Sequence, residues 1–199
     1  MAFKHNIMIA AIAVSAAAMP PAQAQTPIAS EQMPVTGSVP EVCALQEARM
    51  SPGTQENFRG FSGNTLQIAE LVDPSTLAAN AASAEIEFEA VCNFPHRVRL
   101  ESQNNGLWQT DGRQANPVDG FAYALPYVAS LNWGDVSGNL DADANVRRIA
   151  EQRFYVDQAT AGQLRLRINI DAGASNIHAN APVLAGIYGD TLRIFLEPR

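Results

Sequence analysis

The chain has 199 residues, with 13 basic against 20 acidic side chains and a formal net charge of −7. Beyond position 24 it contains no lysine, because Lys4 is the only one; 12 arginines (13 − 1) against 20 carboxylates leave −8 there, which argues against a nucleic-acid or anionic-membrane surface. Only His96 and His178 lie beyond that point, too few for a histidine metal cage, and no metal or other cofactor is expected.

Residues 1–24 read as a secretory signal peptide: Lys4 and His5, an apolar run over 7–18, and the small-residue site Ala22-Gln-Ala24. The run is shorter than the ~20 residues of a membrane span, so no transmembrane segment is expected. Export would leave 175 residues (199 − 24), the size of one domain. Residues 25–34 form a polar, Pro-containing extension with isolated Ile28 and Met33, and the domain is expected over 35–199. The extension continues into Val35-Thr-Gly-Ser-Val39, where Met33, Val35, Gly37 and Val39 share one face at period two; Gly37 is a place of close backbone approach. Cys43 and Cys92 are the only cysteines, and an even pair in an exported chain points to one disulfide.

Residues 46–63 are polar and Gly-containing and read as loop, followed by a strand over 64–71 and a turn at Asp73-Pro-Ser. The Ala-rich piece over 77–84 has room for a turn or two of helix. From 85 to 93 the alternation is clearest: Ile86, Phe88, Ala90 and Cys92 face the core and Glu85, Glu87 and Glu89 the solvent. Residues 96–102 alternate again, and Arg97 and Arg99 are expected to pair with those glutamates across the strands, with Glu101 outward. Phe121, Tyr123, Leu125 and Tyr127 share a strand face broken by Pro126; the chain turns at Asn132-Trp-Gly134. Residues 153–156 and 163–170 are strands, the second with Leu164, Leu166, Ile168 and Ile170 inward.

In the C-terminal stretch, Leu192, Ile194 and Leu196 fall on one face and Arg193 and Phe195 on the other. So apolar a strand needs neighbours on both sides, since a long exposed edge is a template for pairing with another chain. Seven or eight short strands without a sustained helical period give an all-β fold, an antiparallel β-sandwich.

The sequence holds no GxSxG elbow, HExxH helix or phosphate-cradling glycine loop, and no enzymatic activity or catalytic residue is assigned. Asp141-Ala-Asp-Ala-Asn145 starts like a calcium loop, but Val146 stands where that loop needs Gly and Gln152 where it needs Glu. Among the aromatic residues, Trp133, beside a turn glycine, is the one expected to be exposed, and with Trp108 it is the candidate for stacking on a sugar.

Together these features resemble the pilin-like subunits of bacterial chaperone–usher fimbriae, in particular the spore coat protein U-like branch. The resemblance rests on the leader, the Val35-Thr-Gly-Ser-Val39 segment, Cys43 just after it and Cys92 closing a strand. It is carried furthest by the terminal pattern Gly186, Tyr188, Asp190, Leu192, Ile194, Leu196. The long polar stretch between Cys43 and Asn64 and the short extension before Val35 depart from the family.

The resemblance implies an immunoglobulin-like sandwich lacking a strand, with a groove lined by Tyr188, Leu192, Ile194 and Leu196. A strand is added there first by a periplasmic chaperone and then, at an outer-membrane usher, by another copy or a related subunit. Ile28, Met33, Val35, Gly37 and Val39 would be the donor, and the product a structural or adhesive fibre at the cell surface. Two other classes compete: a self-contained secreted β-sandwich binding a glycan through Trp133 and Trp108, and a hydrolase.

Overall fold

A computed structural model describes residues 30–111 and 118–199; the expected leader over 1–24 and Ile28 lie outside the described residues. Val39–Arg199 forms one compact unit, and residues 30–38 belong to another. The fold is all-β, and the described residues contain no helix, hence none long and apolar enough to cross a membrane.

Two antiparallel sheets carry the core. The first has the order β1 (Cys43–Leu45), β5 (Ala82–Cys92), β12 (Thr160–Ile170), β9 (Tyr127–Trp133), β10 (Val136–Ala142), with β2 (Arg49–Met50) also on β5. In the second, β6 (His96–Ser102) lies between β11 (Ala150–Val156) and β14 (Leu192–Pro198). Their inward residues, Ala84, Cys92, Leu131 and Leu164 from one and Val98, Leu100, Phe154 and Val156 from the other, form a single apolar cluster. The arrangement is a β-sandwich. Two small sheets flank it: β3 (Phe58–Ser62) with β4 (Thr65–Ile68), and β7 (Leu107–Gln109) between β8 (Ala124–Leu125) and β13 (Tyr188–Gly189).

The strongly alternating segments fold as read. Along β5, Ala82, Ala84, Ile86, Ala90 and Cys92 are buried, and along β12, Leu164, Leu166 and Ile170 are. Cys43 and Cys92 are directly paired in register and form a disulfide, stitching β1 to β5.

Several expectations are corrected. The stretch over 46–63 is not all loop: it contains β2 and β3, whose strand character comes from pairing with β5 and β4 and not from alternation. Residues 77–84 form no helical turn. Asp73 Oδ1 accepts from the amides of Ser75 and Thr76, Leu77 takes a left-handed φ of 59°, and β5 begins at Ala82. Arg97 and Arg99 do not meet Glu85, Glu87 or Glu89, because β6 crosses to the other sheet after the turn over 93–95. Glu87 instead lies 3.4 Å from Arg165 on β12. Upstream of Pro126 the expected face holds only in part: Leu125 is fully buried as read, but Ala122 and Ala124 are fully buried too, while Phe121 and Tyr123 are half-buried. The polar strand β10 was hidden in sequence. It packs through Gly138, where a Cβ would lie 2.3 Å from Phe154 Cε1.

Candidate functional site

The two lateral margins of the sandwich differ. Where β10 meets β11, the inward Leu140, Ala142, Ala150, Phe154 and Val156 are all buried, and the inward position left exposed on β11 carries the polar Gln152. Where β1 faces β14, the inward residues are apolar and partly exposed. Leu192, Ile194 and Leu196 are only half-buried, although their same-face neighbours Val98 and Leu100 on β6 are 0% exposed. Opposite them Leu45, paired with the buried Ala90, is 38% exposed.

The backbone of β14 is open on the same side. Among the described residues it pairs only with β6. The amide of Gln103 donates to Thr191 O at 3.0 Å, so the hydrogen-bonded pairs with β6 fall at 191, 193, 195 and 197 by antiparallel alternation. The N–H and C=O groups of Leu192, Ile194 and Leu196 therefore point to the free edge. Pro198 has the same parity, and its missing N–H stops further donation there, a common way of blunting an edge.

Polar anchors hold both ends of this strand. Just before it, Asp190 Oδ2 accepts from Tyr127 Oη at 2.7 Å and from Ser102 Oγ. Its Oδ1 accepts from the amides of Thr191 at 2.7 Å and Asn104 at 2.9 Å. Burial, and then the Asp190 charge, raise the Tyr127 phenol well above its ordinary value, so it stays a neutral donor. At the far end, Glu197 binds Arg97 at 2.8 Å and Arg99 at 2.7 Å, which holds its carboxyl below the usual range, with Arg99 the larger influence.

The outward face of this sheet is occupied by its own charges. The register stacks Tyr155–Arg97–Glu197, Arg153–Arg99–Phe195 and Glu151–Glu101–Arg193 in successive rows. Arg99 at the centre lies 2.6 Å from Glu101 and 3.8 Å above the Phe195 ring. Glu101, expected to be solvated, is buried beneath Arg99 and Arg193. The edge, and not the face, is where this sheet has unused bonding capacity.

The other candidate residues fall as follows. Tyr188 does not line the margin: it belongs to β13, pairs with Gln109 and packs on the small cluster of Ala79, Ala122, Leu125, Ala181 and Val183. Its hydroxyl donates to Leu184 O at 2.8 Å, and burial, then Asp111, push its pKa up to about 12. Trp133 is not exposed. The inward phase Tyr127, Ala129, Leu131 continues to it, so Gly134 turns the chain only after the indole has entered the core, 1% exposed and 4.8 Å from the His96 ring. Trp108 is half-buried on β7 against Tyr123, at the other end of β9 from Trp133, so the two indoles form no common platform. Met33 and Val35 are 85% and 93% exposed, Val39 is exposed, nothing lies within 4 Å of a Cβ on Gly37, and residues 30–41 contain no strand.

Sequence reasoning missed the role of Asp190, although its position in the terminal pattern marked it, and of Asn93, a polar residue directly after a half-cystine. No protein-family model matches the chain, and no curated protein matches it either.

Proposed function

We propose that this protein is a structural subunit of an exported surface fibre, assembled when an extended segment adds to the free edge of β14. The observation that carries this reading is the coincidence on Leu192, Ile194 and Leu196 of half-exposed inward side chains with unpaired backbone groups. At the opposite margin of the same sandwich the apolar inward residues Leu140, Ala142, Ala150, Phe154 and Val156 are buried and Val136 is half-buried. Strand addition supplies main-chain hydrogen bonds for register and side chains for the gaps, and each aliphatic side chain so buried contributes about 1.5–3 kcal/mol.

The donor is the segment over 28–39, with Met33, Val35 and Val39 facing inward and Gly37 at a tight spot. Its prolines support an antiparallel alignment. Directly opposed residues then share a face, so Met33, Val35, Gly37 and Val39 exchange hydrogen bonds with β14, and the amide that Pro34 lacks would point away. In a parallel alignment the bonds fall on the other parity, and Pro34 would leave one unmade. A chain folding its own segment back onto β14 would meet it in parallel. β1 is antiparallel to β5, β14 is antiparallel to β6, and β5 turns directly into β6, so β1 and β14 run in opposite senses. The donor is therefore a second copy or a related subunit. A periplasmic chaperone holds the edge before assembly and an outer-membrane usher is the place of exchange.

The test is size-exclusion chromatography of the exported chain beside Val35→Asp, which puts a carboxylate into the donor's inward row. The wild type runs as polymer. The variant runs as monomer and is incorporated only at a fibre end. A wild-type chain that stays a heat-stable monomer overturns the reading.

A further inference from the structure

Asn93 follows Cys92 at the turn from β5 to β6 and bonds to the chain just upstream of β1. The amide of Val42 donates to Asn93 Oδ1 at 2.8 Å, Asn93 Nδ2 donates to Pro40 O at 2.8 Å, and the Asn93 amide donates to Val42 O at 3.2 Å. One side chain thus fixes two peptide groups. The 43–92 disulfide fixes the next residue. Pro40 sets its own φ and confines Val39 to extended conformations, so the stiff section reaches the residue where the compact unit begins. Asn93 is itself exposed and buries no surface that would explain these bonds as core packing.

We infer that Asn93 is a positioning residue, a clamp that fixes the direction in which the 28–39 segment leaves the domain and so the angle between one copy and the next. This rests on the strand-addition reading. The clamp lies at the end of the sandwich where β14 finishes, because Cys92 and His96 flank the same turn and His96 is opposite Pro198. The segment donated to one neighbour and the groove that accepts from another therefore meet the domain at this end and along this margin. Loss of the clamp leaves the donor residues and the groove intact and removes only the orientation between them.

The exported chain is compared with Asn93→Ala, and with Asn93→Asp, which keeps the acceptor for Val42 and loses the donor to Pro40. Three measurements are made: hydrogen exchange at Val42, bend angles along negatively stained fibres, and capping of growth by a synthetic peptide of residues 28–39. For Asn93→Ala, Val42 exchange speeds up by roughly three- to tenfold, the size of one net hydrogen bond. The fibre persistence length falls by about half or more as a fixed joint becomes a flexible link. Peptide capping stays as in the wild type, and Asn93→Asp falls between. Fibres of Asn93→Ala as stiff as the wild type, with capping intact, overturn the clamp and leave strand addition standing. A wild type that neither polymerises nor binds the peptide overturns both.

Discussion

The hydroxyl of Tyr127, at the start of β9 in one sheet, is 2.7 Å from Asp190 Oδ2, two residues before β14 in the other. This bond ties the strand with the open edge across the sandwich to its most completely paired sheet. Among the described residues β14 has a partner on one side only, so anchors of this kind hold it in register.

Replacing Tyr127 by Phe removes a donor to a carboxylate and is expected to cost about 1–3 kcal/mol in denaturant unfolding. The pH dependence separates this from simple loss of packing. The folded pKa of Tyr127 is raised, so its contribution is fully present below the unfolded value of about 10 and is lost as pH rises above it, where only the unfolded chain releases the proton. Tyr188, pushed up to about 12 by burial, adds a slope of the same sign. Stability of the wild type therefore falls above pH ~10, and Tyr127→Phe keeps only the Tyr188 part. Equal slopes in the two proteins would contradict the burial of a neutral Tyr127 phenol.

Glu197 gives the opposite sign. Its carboxyl is held below the ordinary range by Arg99 and then Arg97, so its contribution is present above the unfolded value and lost as pH falls through the folded one. Glu197→Gln is expected to cost about 0.5–1 kcal/mol at pH 7 in low salt and nothing well below pH 4, since the pairs are only partly buried. Thermal melts at the two pH values check this.

The sequence made the sandwich legible wherever side chains alternate strongly, as in β5, β12 and β14, because period two survives any detail of pairing. It failed where a strand owes its existence to a neighbour. β10 reads as polar because its outward Ser137, Asn139 and Asp141 outnumber the buried Leu140 and Ala142, and β2 has only two residues. The half-burial of Leu192, Ile194 and Leu196 could be suspected but not read, since an edge strand and a central strand of the same composition differ only in what lies beside them. Trp133 misled because a turn glycine next to it suggested exposure, whereas the strand phase, set from Tyr127 onward, placed it inside.

The disulfide fixes the margin at β1. In the chain-entropy account, closing a loop with a sequence separation of 49 is worth about 4 kcal/mol. The double change Cys43→Ala, Cys92→Ala is expected to lower stability by about 2–5 kcal/mol and to leave β1, only three residues long, exchanging its amides faster than β5 or β12. Uniform loss of protection across all three strands would show instead that the bond secures the whole domain as one unit.

A charge placed on an inward position tests the difference between the two margins directly. Ile194 on β14 is half-buried beside vacant backbone groups, so Ile194→Lys lets the long stem lie along the apolar surface with its ammonium in solvent. It is expected to cost less than about 1.5 kcal/mol. Leu100, next to it on β6 and 0% exposed, has no such route, and even Leu100→Ala should cost about 2–5 kcal/mol. On the strand-addition reading Ile194→Lys also abolishes polymer formation in a chain that still unfolds cooperatively, because an incoming aliphatic residue would have to bury against the charge. A lysine at 194 that cost as much as the cavity at 100 would mean that the margin is closed in solution, and the open edge would lose its standing as the site.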